Sequence, residues 1–517
     1  MALPASQIRG FTSVDFPKRS TASFSVLDKQ VKTIQALIEK DERFGPFADL
    51  SPTLLFFLSS EKLFLNRIPE TKLALDSHGS EVTGFVHDYT FLKAPYDASS
   101  LEPFLVKGLW IDPSEGNLFF EDQEHLEHVI KDFSGTKRIL FLIHPLSEHL
   151  YAPLIDKYKD AQENFQAIAL SSLRSLLVAL PIIGGFKHVI AKVSLDLTSS
   201  GTLRHLTKKE TYVSVVNSTL LDSASFNIIK EQVAFAPIAS LLHPDAEKAQ
   251  RFGAGMIYRF LPETFLQPSS SDALIPFFSI LGENNKDLFK ALIKDSKLNP
   301  ENFILERLLT PLAQKIAYSI FVQKTSFELH GQNLLLLLQE KKGQLELDFM
   351  YRDLGGVNRL PRKSDSFLLP ENLTQEHLSW AENHLHDTAT ALEGFVEKIV
   401  FSLTKTVFND KELFGASPCF SLWRQQMLEK HLEANWQIID AEGHHQTRIE
   451  LHSFCRYGFF EKYFGRLFLK EISKYLKEQQ ESLQAFGLML DSSEETFSLC
   501  HKILWFEQLI HTFYKPS

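Results

Sequence analysis

The sequence predicts an α+β protein with a helical N-terminal part, a mixed, strand-rich middle and a C-terminal part that combines a β-hairpin with helices. Three observations carry this. Leu27, Val31, Ile34, Leu37 and Ile38 recur at helical spacing near the start. From about residue 82 to 216 the texture changes to short apolar runs broken by turn residues. Late in the chain Leu467, Phe468, Ile472, Tyr475 and Leu476 mark one buried face among Lys and Glu. With 517 residues, 44% of them hydrophobic and 23% charged, the chain can fill packed cores and suits two or three domains.

The first periodic run, behind Ser23 and Ser25 as candidate caps, predicts an amphipathic helix over residues 26–39. Arg138–Ile143 and Val189–Leu197 read as strands with helices between them. Gln267-Pro-Ser-Ser-Ser-Asp272 is a loop by composition, and Lys297-Leu-Asn-Pro300 marks a second break. There Asn299 supplies a cap, Pro300 a first-turn residue and Glu301 an early acid. The helix they start carries Leu305, Leu308, Leu309, Leu312, Ile316 and Ile320 on one face, with a kink expected at Pro311. The second break places a domain boundary near residue 296. The 44 phenylalanines are core material.

Beyond residue 326, the apolar runs around Leu334–Leu338 and Leu345–Tyr351 flank a charged, glycine-containing turn and predict a β-hairpin centred near Lys342. A turn centred there sets Asp353 opposite Gly331, and the strand period puts Glu328 and His330 on one face. Two carboxylates, an imidazole and the Asn333 amide thereby converge at one end of the hairpin. Hard oxygen donors suit Mg²⁺, with Glu328, Asn333 and Asp353 as candidate ligands. The same residues would equally suit the wet end of an ordinary hairpin.

Upstream, Leu170-Ser-Ser-Leu-Arg174 and the segment Lys192–Arg204 bring Ser172, Arg174, Lys192, Ser200 and Arg204 into two short stretches. Cations and hydroxyls of this kind form charge-assisted hydrogen bonds to phosphate oxygens. Taken singly, such charges are mostly exposed surface residues. Gly184-Gly-Phe-Lys187 lacks the spacing of a Walker loop, and Gly253-Ala-Gly255 lacks the third glycine of a dinucleotide fingerprint. His384, His386, Asp387, His444 and His445 have no third ligand at metal-binding spacing and read as helix or loop positions.

Charge and cysteine usage exclude several classes. The 54 Lys and Arg against 64 Asp and Glu leave a net charge of −10, so no general affinity for nucleic acid or an anionic membrane is expected. Cys419, Cys455 and Cys500 contain no CxxC pair and suit a reducing compartment. No basic stretch followed by an apolar one opens the sequence, and no apolar run approaches the about 20 residues that span a bilayer. A soluble cytoplasmic protein is the expectation.

Together the motif segments resemble one family, the siderophore synthetases that work independently of nonribosomal peptide synthetases, typified by aerobactin synthetases. The family pattern Ser-x-Arg-Thr resembles Ser172-Leu-Arg174-Ser175, with Ser for Thr. Lys192-Val-Ser-Leu195 followed by Ser200-Gly-Thr-Leu-Arg204 keeps the family's Lys-to-Arg interval but not its Thr-Ser pair. Glu328-Leu-His330-Gly-Gln332-Asn333 and Arg352-Asp353-Leu-Gly-Gly356 match the family's Glu-x-His-x-Gln-Asn and Arg-Asp-x-x-Gly patterns, and His144-Pro145 precedes the first motif as in the family. The resemblance spans about residues 140 to 360. The family's N-terminal His-Pro-x-His-Pro-x-x-Lys element is degenerate here, around Ser77–Phe85, and Arg448 is the one candidate for its late cations.

The resemblance implies a cupped architecture with a shortened thumb-like part (1–85), a fingers-like part (86–295) and a palm-like part (296–517), assembled as a homodimer. It implies ATP-dependent adenylation of a citrate-like polycarboxylate, then condensation with an amine or alcohol. Arg174, Lys192, Arg204 and His330 would be catalytic, Ser172, Ser200, Asn333 and Asp353 would join them in binding ATP, and Glu328, Asn333 and Asp353 would hold Mg²⁺. Two alternatives remain open at this stage: a catalytically weakened paralogue that binds nucleotide or carboxylate, and an adenylating ligase for non-siderophore substrates.

Overall fold

The computed structural model describes residues 21–65 and most of 100–359, with 74–75, 81–82 and 95–96 between them. Ser200, Glu328, His330, the degenerate segment around His78 and every residue beyond 359 lie outside the described residues. The predicted C-terminal helices, the late histidines, the cysteines and Arg448 therefore lie outside them too.

Helix α1 (Ala22–Ile38) forms where the apolar spacing predicts it and buries Phe24, Leu27, Val31, Ile34 and Ile38. Each such side chain contributes ~1.5–3 kcal/mol on full burial. Neither expected serine caps it. The helix starts at Ala22, and the Asp295 carboxylate accepts hydrogen bonds from the N–H groups of Ala22 (2.8 Å) and Ser23 (2.7 Å) and from the Ser23 hydroxyl (2.6 Å). Helix α2 (Pro52–Leu65) carries Leu54-Leu-Phe-Phe-Leu58 and is buried on every side over residues 52–61. An apolar surface all round requires cover from several directions.

Along the chain follow β1 (Phe104–Ile111), β2 (Gly116–Phe120), β3 (Ile130–Phe133), β4 (Thr136–Ile143), β5 (Gln162–Ala169), β6 (Ser175–Ile182) and β7 (Gly185–Val193). Next are α3 (Lys208–Leu220), β8 (Asn227–Ile228), β9 (Val233–Pro237), β10 (Met256–Arg259), β11 (Ala273–Pro276) and α4 (Lys286–Ser296). The hairpin β12 (Leu334–Lys341) and β13 (Gln344–Tyr351) completes the series. Nine strands form one antiparallel sheet in the order β2-β9-β10-β7-β6-β5-β1-β4-β3. Its core includes Val106, Phe141, Ala167, Val178, Val189 and Met256.

A second sheet, β8-β13-β12-β11, draws strands from both sides of residue 296, and only its β8–β13 pair is parallel. It shares one core with α1, α2 and α4 through residues such as Leu27, Phe56, Leu292, Leu335 and Phe349. The fold is thus a mixture of helix and strand with a helical N-terminal part, as the sequence predicts.

Two local expectations need refinement. The hairpin turns on two residues, Lys342 (φ 53°) and Gly343 (φ 72°), the left-handed pair that a two-residue turn matched to strand twist demands. Its centre falls between them rather than on Lys342, so the register shifts by one residue. Leu334 faces Tyr351, and the N–H of Arg352 reaches the Asn333 carbonyl (2.9 Å). After residue 299, the Asn299 side chain accepts from the Asn302 N–H (2.8 Å) as predicted, but the helix soon widens into a π turn over Phe303–Leu309. Pro311 follows, with no N–H to continue an α ladder. Among the described residues no helix is long and apolar enough to cross a membrane.

Candidate functional site

Strand pairing sets Lys192 of β7 between Ser175 of β6 and Ile257 of β10. Lys192 is only 4% exposed, a position where an ammonium is costly unless paired. Its partner is the Asp353 carboxylate, delivered from beyond the end of β13. Arg259, at the end of β10, lies 3.4 Å from the same carboxylate oxygen. Arg174, in the turn before β6, adds a third positive charge. Burial would raise the Asp353 carboxyl, but Lys192, Arg259 and Arg174 together outweigh it and hold the group far below the usual carboxylate range. For Lys192 burial dominates and lowers its pKa, although Asp353 favours the charged form.

The backbone makes this possible. Asp353 is left-handed (φ 76°, ψ 67°) and stands where a cap should precede the short turn Leu354–Gly356, yet its side chain caps nothing. Glu231 does so in its place, accepting from the Leu354 N–H (3.0 Å). From α3, Asn217 donates to the carbonyls of Leu354 (2.8 Å) and Val357 (2.9 Å), and a side chain at Gly355 would press on Ser214 (3.0 Å). Helix α3 is itself fixed by a capping box between Thr207 and Glu210.

The predicted site residues separate into groups. Arg174, Lys192 and Asp353 come together. Arg174 donates to the His205 carbonyl (2.9 Å) and lies 3.9 Å from Glu210, and burial lowers its pKa against the pull of Asp353 and Glu210. Arg204 is close enough for its charge to act on Arg174, and its carbonyl accepts from the Leu195 N–H (3.0 Å). Ser172 sits in the β5–β6 connection, its carbonyl accepting from the Ser175 N–H (2.7 Å). Asn333 is buried at the head of β12. Ser200, Glu328 and His330 lie outside the described residues.

Sequence reasoning missed three charged residues here, Glu231, Arg259 and Glu61. Glu231 and Arg259 pair deep in the protein (2.6 Å) and complete the surroundings of Asp353. Glu61 on α2 holds Arg352 (2.6 Å), the residue adjacent to Asp353, which also donates to the carbonyl of Gln332 (2.9 Å) and the hydroxyl of Ser171 (3.2 Å). Glu61 in turn accepts from the Ser171 N–H (3.0 Å) and hydroxyl (2.8 Å). A glutamate inside an apolar helix was the available signal, because a buried charge requires a partner. Nearby, Asp196 bridges His149 (2.8 Å) and His205 (3.2 Å), and burial lowers the His205 pKa despite Asp196.

Among the described residues no group of three or more His, Cys, Asp or Glu side chains is gathered around a metal position. Asp353 faces the cations Lys192 and Arg259, and Glu328, expected beside it as a Mg²⁺ ligand, lies outside the described residues. The arrangement suits anions better: Lys192, Arg174 and Arg259 converge in a chain that is acidic overall.

No family model and no curated protein matches the sequence. Solved structures do. Petrobactin biosynthesis protein AsbB from Bacillus anthracis is 15% identical, with a TM-score of 0.47 over 74% of this chain and 64% of its own. The chain thus spans less than two thirds of that protein. Aerobactin synthetase IucC from a hypervirulent Klebsiella pneumoniae pathotype is 15% identical, with a TM-score of 0.39 over 78% of each chain. ATP-bound aerobactin synthetase IucA from the same pathotype is 14% identical, with a TM-score of 0.42 over 74% of this chain and 75% of its own. The chain is similar in structure to siderophore-biosynthesis proteins.

Proposed function

We propose that this chain is an ATP-dependent siderophore synthetase that adenylates a citrate-like polycarboxylate and condenses it with an amine or alcohol. The observation that carries the reading is the meeting of Arg174 and Lys192 with Asp353, 161 residues beyond Lys192, around one ion pair whose lysine is buried. A carboxylate oxygen of the acid attacks the α-phosphorus of ATP; the new O–P bond gives an acyl-adenylate, and the broken P–O bond releases pyrophosphate. Attack by the amine or alcohol on the acyl carbon then expels AMP. Both ground-state reactants are anions, so fixed cations placed where charge accumulates lower the barrier.

On this reading Arg174, Lys192 and Arg204 supply that charge, Ser172 and Ser200 donate hydrogen bonds to phosphate, and His330 contacts phosphate or the acid. Asp353 holds Lys192 in place. The segments 1–85, 86–295 and 296–517 would be the thumb-, fingers- and palm-like parts of a cytoplasmic homodimer. One observation favours a second reading, a nucleotide- or carboxylate-binding paralogue without turnover: Lys192 is nearly inaccessible and already engaged by Asp353. A matrix of polycarboxylates against amines and alcohols, scored for AMP release and product mass, tests the proposal. AMP release confined to particular acid–acceptor pairs is the expected result; none from any pair would favour the second reading.

A further inference from the structure

We propose that Glu231 is the positioning residue of this site, presenting the Asp353 carboxylate to Lys192 by capping the turn that follows it and by anchoring Arg259. Glu231 is fully buried, and both its oxygens are used. Oε1 accepts from Arg259 Nε (2.7 Å) and lies 2.6 Å from Arg259 Nη2, while Oε2 accepts from the Leu354 N–H (3.0 Å). Its own N–H donates to the Ser218 hydroxyl on α3 (2.5 Å). One residue therefore links α3, through its backbone N–H, with the end of β10 and the Asp353 turn, through its side chain.

The link has a chemical consequence. A short aspartate ahead of a helical turn ordinarily folds back onto that turn's N–H groups. Here the N–H of Leu354, the first of the turn, goes to Glu231 and that of Gly356 to the Asp353 carbonyl (3.2 Å), and the left-handed Asp353 turns its carboxylate to Lys192 and Arg259. Glu231 also neutralises Arg259, so that Asp353 is not drawn away from Lys192 by a second uncompensated cation. Removing Glu231 leaves Arg259 to draw the Asp353 carboxylate towards itself, which releases Lys192. The catalytic importance of this placement rests on the adenylation reading; the placement itself does not.

The test is lysine labelling of the full-length protein with an amine-acylating ester, read residue by residue by peptide mass spectrometry. In the parent, Lys192 should be protected. Glu231→Ala should raise its labelling about tenfold or more, the change in an opening equilibrium expected from losing one charge-assisted hydrogen bond. Glu231→Gln, which keeps an acceptor for Leu354 but not the charge facing Arg259, should raise it less. Lys107, ion-paired with Glu148 (2.7 Å) in the large sheet, should be unaffected. In an Asp353→Asn background, Glu231→Ala should add nothing further.

Unchanged protection of Lys192, a parallel rise at Lys107, or full additivity with Asp353→Asn would each overturn the proposal. Should Glu231→Ala not fold, Glu231→Gln decides: a rise confined to Lys192 supports the role, and no rise refutes it. Pyrophosphate exchange by the parent is measured alongside. Its absence would count against adenylation alone and leave the labelling result standing.

Discussion

Lys192 and Asp353, 161 residues apart, form an ion pair between a buried lysine on an inner strand of the large sheet and a partly exposed aspartate at the start of the turn beyond β13. Truncating one member leaves the other charge uncompensated. Asp353→Ala should therefore destabilise the protein by ~3–5 kcal/mol, the usual cost of breaking a buried pair, measured as a loss in denaturant unfolding free energy. A loss no larger than that of an exposed pair would show that the two groups do not depend on one another.

Arg204 reaches the same site from the segment after β7, where its charge acts on Arg174. If it stabilises charge that develops during adenylation, Arg204→Ala should slow acid-dependent pyrophosphate exchange by about 10²-fold or more without a matching loss of stability. Exchange equal to that of the parent would remove Arg204 from the catalytic set.

Asp295 caps α1 from the end of α4, so its role is structural. Asp295→Ala should cost ~1–2 kcal/mol in thermal or denaturant unfolding, as the loss of a helix cap does, while exchange at 25 °C stays at the parental rate. An unchanged melting profile would show that the cap contributes nothing.

His144 is almost wholly buried beside Tyr96 and Phe104, and its Nδ1 accepts from the Leu146 N–H (3.2 Å). Burial pushes its pKa down from 6.5 to about 4. Below pH 6.5 the unfolded chain takes up a proton that the folded one refuses, so this contribution to stability is complete above 6.5 and is lost as pH falls towards about 4. His144→Asn, which retains a capping acceptor but no titrating group, should flatten the dependence of the denaturant midpoint on pH in that window. His188 and His205, also lowered by burial, would leave a residual slope. Identical slopes in parent and variant would exclude His144 as a source.

Local chemistry was legible in the sequence where it is written in neighbouring residues. The apolar period gave α1, the runs Arg138–Ile143 and Val189–Leu197 gave two strands, the second of which ends at Val193, and Asn299-Pro300 gave a capped start. The hairpin was recognisable, but whether a turn is centred on Lys342 or between Lys342 and Gly343 depends on two positive φ values, and one residue of register followed from that. The family resemblance brought Arg174, Lys192 and Asp353 into one hypothesis. Glu231, Arg259, Glu61 and Asp295 escaped because each acts through a partner at least 28 residues away, a distance over which no periodicity carries information.

The measurement that bears most directly on the central claim is exchange of labelled pyrophosphate into ATP by the full-length protein, with Mg-ATP and citrate or another polycarboxylate and no amine present. The account predicts exchange that requires the acid and falls by about 10²-fold in Arg174→Ala and Lys192→Ala, as expected when preorganised charge is removed. No exchange with any polycarboxylate, in a protein that still binds ATP, would contradict it.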